Sequence, residues 1–174
     1  MPIQRRRAYA DAEVDRIIRA SETRLSRQGR GPTGHLAALH VLITNLELID
    51  RGADFYREGH ADVPVACAFV STREAVGAVT EALNSPQGQA ALQWLDDHYP
   101  TGIRVTIETE VAPVRVRYSS GFDVMRRATI TSIRVLLERI EEETYFGLHV
   151  HTAFPILGYR RDVPAWQDSN GGWH

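Results

Sequence analysis

Lysine is missing from this chain, so all 20 cationic side chains are arginine. Arginine carries a planar five-donor fork suited to carboxylate and phosphate, where lysine carries a mobile point charge. The arginines are scattered along the chain, the pattern of a biased codon supply more than of a dedicated polyanion tract. Cysteine is nearly missing too. Cys67 stands alone in an apolar run, which excludes an internal disulfide and marks it as a small buried hydrophobe. A reducing, cytoplasmic setting is therefore expected. No apolar run is long enough to cross a bilayer, so no membrane partner is expected. The opening MPIQRRRAYADAEV has basic residues but no apolar segment behind them, and does not read as a secretory signal. Dinucleotide fingerprints and Ser-His-Asp or Cys-His arrangements are absent as well.

What is present is ordinary for a soluble globular protein: 174 residues, 43% hydrophobic and 24% charged. That length suits one domain able to bury a core without disulfides or metal. The net charge of −2 supplies no global field that would draw in nucleic acid or anionic membrane.

Along the chain, Ala8 to Arg27 reads as a helix with a thin apolar stripe of Val14, Ile17, Ile18 and Leu25. Arg5, Arg6 and Arg7 before it form a short basic end. Gly29 to Gly34 is a break. It lacks the Lys of a phosphate loop, with His35 in that place, and reads as a linker with Thr33 as N-cap. A very apolar helix is expected over 34–56. Its His35 and His40 are five apart, the wrong spacing for a metal pair on a helix. Val63 to Val70 reads as a buried strand. Ser71 and Glu74 form a capping box for the next helix, and Ser85-Pro86 restarts another.

Ile103, Val105 and Ile107 alternate with Arg104, Thr106 and Glu108, which indicates a half-buried strand. Val114, Val116 and Tyr118 alternate with Arg115 and Arg117 in a second, with Pro113 between them. Ser120 and Asp123 suggest a cap, and a helix is expected from Gly121 to Tyr145 with Val124, Ile130, Ile133, Leu136, Leu137 and Ile140 on its apolar side. Glu141, Glu142 and Glu143 crowd its last turn, where the dipole disfavours them. A last strand runs through Phe146, Leu148, Val150 and Phe154.

This order predicts an α+β fold: a ferredoxin-like βαββαβ core, with an antiparallel sheet and helices on one face, plus two extra N-terminal helices. Residues 1–60 form the helical extension, 61–156 the core and 157–174 a C-terminal arm. Ala66, Ala68, Arg104, Thr106, Glu108, Arg115, Arg117, His149 and His151 then collect on one polar sheet face.

Two readings of that face follow. In the first, the protein is a small cytoplasmic binding or regulatory protein, a homodimer, with Arg104, Arg115 and Arg117 as anion or nucleic-acid contacts. No resident cofactor belongs to it. Nucleic acid would lack a stacking platform, because Tyr118 falls on the core side. A ribbon-helix-helix arrangement of Val114 to Ser119 with the following helix ranks lower, since a strand follows. In the second, His149-Val150-His151 places two imidazoles on one side of a strand, about 6.6 Å apart. The triplet resembles the metal motif of HUH single-strand nucleases and relaxases. That resemblance covers three residues and implies a metal-dependent phosphodiesterase, with a divalent metal on His149 and His151 and a tyrosine nucleophile, Tyr159 or Tyr145. Glu108 is the obvious third ligand, but the ferredoxin-like strand order puts it about 14 Å from His149. Glu138 would lie on a helix behind the sheet, and Asp162 on the arm. The commoner meaning of such a pair is two polar histidines on an exposed or interface strand.

Overall fold

The computed structural model describes residues 8–23, 34, 36, 40–57, 66–98, 104–119, 124–140, 147–157, 165–168, 170 and 172. Their order is α1 (Asp11–Thr23), α2 (Asn45–Arg57), β1 (Ala66–Phe69), α3 (Thr72–Asn84), α4 (Pro86–Asp97), β2 (Arg104–Ser119), β3 (Arg126–Arg139), β4 (Leu148–Pro155) and β5 (Ala165–Gln167). The Arg5–Arg7 end, the linker before Gly34, the Ser120/Asp123 cap and the Glu141–Glu143 run lie outside the described residues.

The fold is α+β, but it is not ferredoxin-like. The sheet is an antiparallel meander in the order β1-β2-β3-β4, with β5 added to β2. What overturns the βαββαβ order is the segment expected to be a helix over 121–145. It holds β3, the partner of β2 along nearly the whole of both strands. The physical cause of the misreading is visible in β3 itself. Its buried residues are the even-numbered Ile130 and Ser132, then the odd-numbered Ile133, Val135 and Leu137. A strand that changes its inward parity once produces apolar spacings of three and four, which imitate a helix. The β-branched content of 129–135 was the contrary signal.

The parity change has a counterpart on β2. Glu110 pairs with Ser132 and Val114 with Ile130, so β2 spends two more residues than β3 between those pairs. Pro113 sits in this bulge, where its missing N–H costs no ladder bond. Hence β2 is one long strand and not the two expected. Before the bulge Val105 and Ile107 point inward; after it Val114 and Val116 do. The sheet curls strongly enough that β1 and β4 come within 8 Å of each other. Three strand spacings in a flat sheet would keep them about 14 Å apart.

The helices cover this sheet, and two of their predicted starts are as expected. The Ser71 hydroxyl accepts from Glu74 N (3.2 Å), and that of Ser85 from Gly88 N (3.0 Å) with Pro86 in the first turn. Gly88 is required there, since a Cβ would overlap the Ala82 carbonyl at the end of α3. Val14, Ile17 and Ile18 of α1 belong to the main core. Ser21 Oγ accepts from Val150 N (2.9 Å) and so ties α1 to β4. The long apolar helix expected over 34–56 is interrupted: Val41 to Thr44 turn away, and α2 starts at Asn45. Thr44 and Glu47 make a reciprocal capping box, Thr44 N to Glu47 Oε2 (2.8 Å) and Glu47 N to Thr44 Oγ1 (3.2 Å). No helix among the described residues is long and apolar enough to cross a membrane.

The strand assignment of β3 makes neighbouring leucines unequal. Leu137 is fully buried and Leu136 is only half-buried. Leu137→Ala is expected to lose about 2–5 kcal/mol in urea unfolding. Leu136→Ala should lose roughly half as much or less, and equal losses would count against the observed parity.

Candidate functional site

The outward-pointing side chains fall into two stations on either side of the β2 bulge. The first holds His149, His151, Glu138 and Arg104. His149 pairs across the sheet with Glu138. Leu136 pairs with Thr152 and Leu137 with Val150, so His151 is an extra residue in a bulge on β4. The bulge brings the two imidazoles together edge to face, with ring centroids 4.5 Å apart. His151 Nε2 hydrogen-bonds Glu138 Oε2, which also accepts from Arg104 Nε at 3.3 Å. Arg139, the next residue on β3, ion-pairs with Asp96 of α4.

The acid beside the histidines is thus Glu138. Apolar periodicity puts it on a helix behind the sheet, whereas it stands on β3 opposite His149. Glu108 pairs instead with Arg134, which donates from Nε at 2.7 Å and lies over the Phe154 ring, 5.6 Å from its centroid. Both histidines are buried, at 2% and 6% exposure. Among the described residues, no group of three or more His, Cys, Asp or Glu is placed to hold a metal ion. The proposed nucleophiles Tyr159 and Tyr145, and Asp162, lie outside the described residues. As built, this station is a charge-paired polar knot joining β2, β3 and β4. Cys67 takes no part in it: burial pushes its thiol up to about 12, leaving it unionised at neutral pH.

The second station is a groove of about 770 Å³ between the 41–44 turn and the far ends of β2 and β3. Val41 to Thr44 form one wall, and Arg115, Arg117, Arg127 and Thr129 line the other side. Arg117 builds the groove. Its Nη1 donates to Asn45 Oδ1 (2.7 Å) and its Nη2 to the carbonyls of Val41 (3.1 Å) and Ile43 (2.7 Å). One guanidinium thereby pins the turn that precedes α2 against the sheet. Arg115 points the same way and reaches Glu74 Oε1 from Nε at 2.6 Å. Glu74 therefore serves Arg115, while Ser71 alone caps α3. Ala66 and Ala68, expected on the polar face, pack with Ile43 and Leu48 in a small second core behind this wall.

Among the described residues, the groove lining contains three arginines and no acidic residue, on a chain whose net charge is −2; one of the three, Arg115, is ion-paired with Glu74 beside the groove. Arg127 lies directly across from Arg117. It makes no ion pair with any described residue. Reasoning from sequence missed Arg127, because the false helix assigned it no place on the sheet. The Thr44-x-x-Glu47 box was the available signal for the wall. Arg104 does not join this groove: it stands about 30 Å away along β2, at the other station.

Burial opposes ionisation of Glu138, but the hydrogen bond and charge of His151, with help from Arg104, outweigh it, so this carboxyl titrates below its ordinary 4.5. A depressed folded-state value means that the unfolded chain binds the proton more readily. The stabilisation is complete above pH 4.5 and disappears as pH falls through the folded-state value. Glu138→Gln is expected to cost about 1–2 kcal/mol at pH 7, discounted for partial exposure. Urea unfolding should show that gap closing below pH 4.5. A gap unchanged in acid would mean that the carboxylate charge is not its source.

No family model matches the chain, and no curated protein matches it. Among solved structures, the crystal structure of a CdiA-CT/CdiI complex from Y. kristensenii 33638 contains a chain similar to this one. The two are 22% identical, the match covers 71% of this chain and 100% of that chain, and the TM-score is 0.49.

Proposed function

We propose that this is a binding protein whose working surface is the arginine groove, and that it engages an acidic partner there. One observation carries the reading: Arg117 and Arg127 face each other across β2 and β3, in a groove with no acidic lining residue among the described residues. Like charges directly opposite on a sheet destabilise it. The carbonyls and the Asn45 amide oxygen around Arg117 absorb part of that cost. Nothing comparable among the described residues serves Arg127, and an anion bound between the strands would. Arg115, two residues before Arg117 on the same side of β2, is by contrast already ion-paired with Glu74.

A metal-dependent phosphodiesterase built on His149 and His151 has less support. Its two candidate ligands are buried, and the carboxylate nearest them is engaged with His151 and Arg104.

Titration with fluorescently labelled heparin, a generic polyanion, tests the groove. The chain should bind at low salt despite its negative net charge, with affinity falling as salt rises. Arg127→Glu should weaken binding and lower the salt slope by about one contact, while Arg104→Glu, at the other station, should change it little. Absence of binding at low salt, or equal loss in both variants, would sink the proposal.

A further inference from the structure

Resting on the reading of the groove as an anion site, we infer that its occupant is an extended acidic protein segment that sets a carboxylate on Arg127 and an apolar side chain against Leu42 and Leu46. Three large hydrophobic residues are conspicuously exposed among the described residues: Leu42 (71%), Leu46 (68%) and Val124 (45%). They are not scattered. Leu42 lines the groove, Leu46 follows it in the first turn of α2, and Val124 stands two residues before Arg126. Its neighbour Met125 packs on the small core containing Ile43 and Leu48, which brings that end of β3 to the same wall. Single exposed leucines need no explanation, but apolar residues gathered beside arginines have the composition of a protein-binding patch.

The same residues argue against nucleic acid. Among the described residues, no aromatic side chain lines the groove, and Tyr118, the nearest on β2, packs on the main core. A single strand would find no stacking platform there. A phosphate backbone also has no use for Leu42 or Leu46. An acidic peptide uses both features: arginine forks take carboxylates in pairs, and the leucines take an apolar anchor. A groove of about 770 Å³ accommodates a few side chains of an extended segment.

Fluorescence anisotropy with three labelled probes tests this: a short Glu/Leu peptide, an all-Glu peptide of equal charge, and a single-stranded DNA oligonucleotide of equal charge. The Glu/Leu peptide should bind about tenfold more tightly than either other probe. Arg127→Glu should weaken both peptides. The double variant Leu42→Ser/Leu46→Gln, uncharged and at exposed positions, should weaken only the Glu/Leu peptide, with its melting temperature unchanged. Equal peptide affinities, or a silent leucine variant, would overturn the inference but leave the anion site standing if heparin binding remains sensitive to Arg127→Glu. Tighter binding of the DNA would overturn it in favour of nucleic acid. A dimer in sedimentation that the leucine variant dissociates would overturn it in favour of a second copy of the chain. Loss of heparin binding along with all three probes would bring down both readings.

Discussion

The two-residue bulge between Glu110 and Val114 is the constraint on which the rest of this structure depends. A continuous ladder would hold β2 and β3 to one inward parity along their length, and the sheet would present one face to the helices and one to solvent. The bulge breaks that rule at one place. It lets Val105 and Ile107 at one end, and Val114 and Val116 at the other, reach the same core although their numbers differ in parity. It also divides the outward side chains into two stations with different characters. One is internally neutralised by Glu138 and closed; the other is arginine-rich and open.

The two stations handle charge in opposite ways. Around Glu138, each formal charge has a counter-charge within hydrogen-bonding reach, and the histidines there are shielded from solvent. Such arrangements hold strands in register and contribute modestly to stability once desolvation is set against attraction. In the groove, Arg117 serves the backbone of the 41–44 turn, and its charge is met by carbonyl dipoles instead of a carboxylate. The groove therefore keeps its positive potential while Arg117 is held rigid. A rigid, preorganised cation loses little freedom on binding, which is the usual route to useful affinity on a small surface.

Much of the local structure was legible in the sequence, and the failures share one cause. Ser71 and Ser85 announced the starts of α3 and α4, and alternation announced β2 and β4, because each signal acts over a few residues. β3 was unreadable by periodicity because its spacing records a bend and not a uniform strand. A helix face of Ile130, Ile133 and Leu137 carries Arg127 and Glu138 off the sheet with it, so that each station lacks a member. The interruption before α2 was hidden differently. The apolar run from Leu36 to Ile49 looks continuous, and the Thr44/Glu47 box that stops it carries no glycine or proline to mark the turn. Arg115 and Arg117 were placed outward from alternation alone, but that Arg117 would brace a distant turn was not legible, since its acceptors are more than seventy residues away.

The short β5 has a meaning for synthesis on the ribosome. β1 pairs only with the end of β2, from Val116 to Ser119, so Thr106 to Glu108 have β3 on one side and wait for Ala165 to Gln167 on the other. A chain made from its N-terminus has β2, β3 and β4 available to fold before that last strand emerges. During this interval the backbone donors and acceptors of Thr106 to Glu108 form an open edge, able to accept any passing extended chain. The window closes only once Ala165 to Gln167 have been made and can cover the edge.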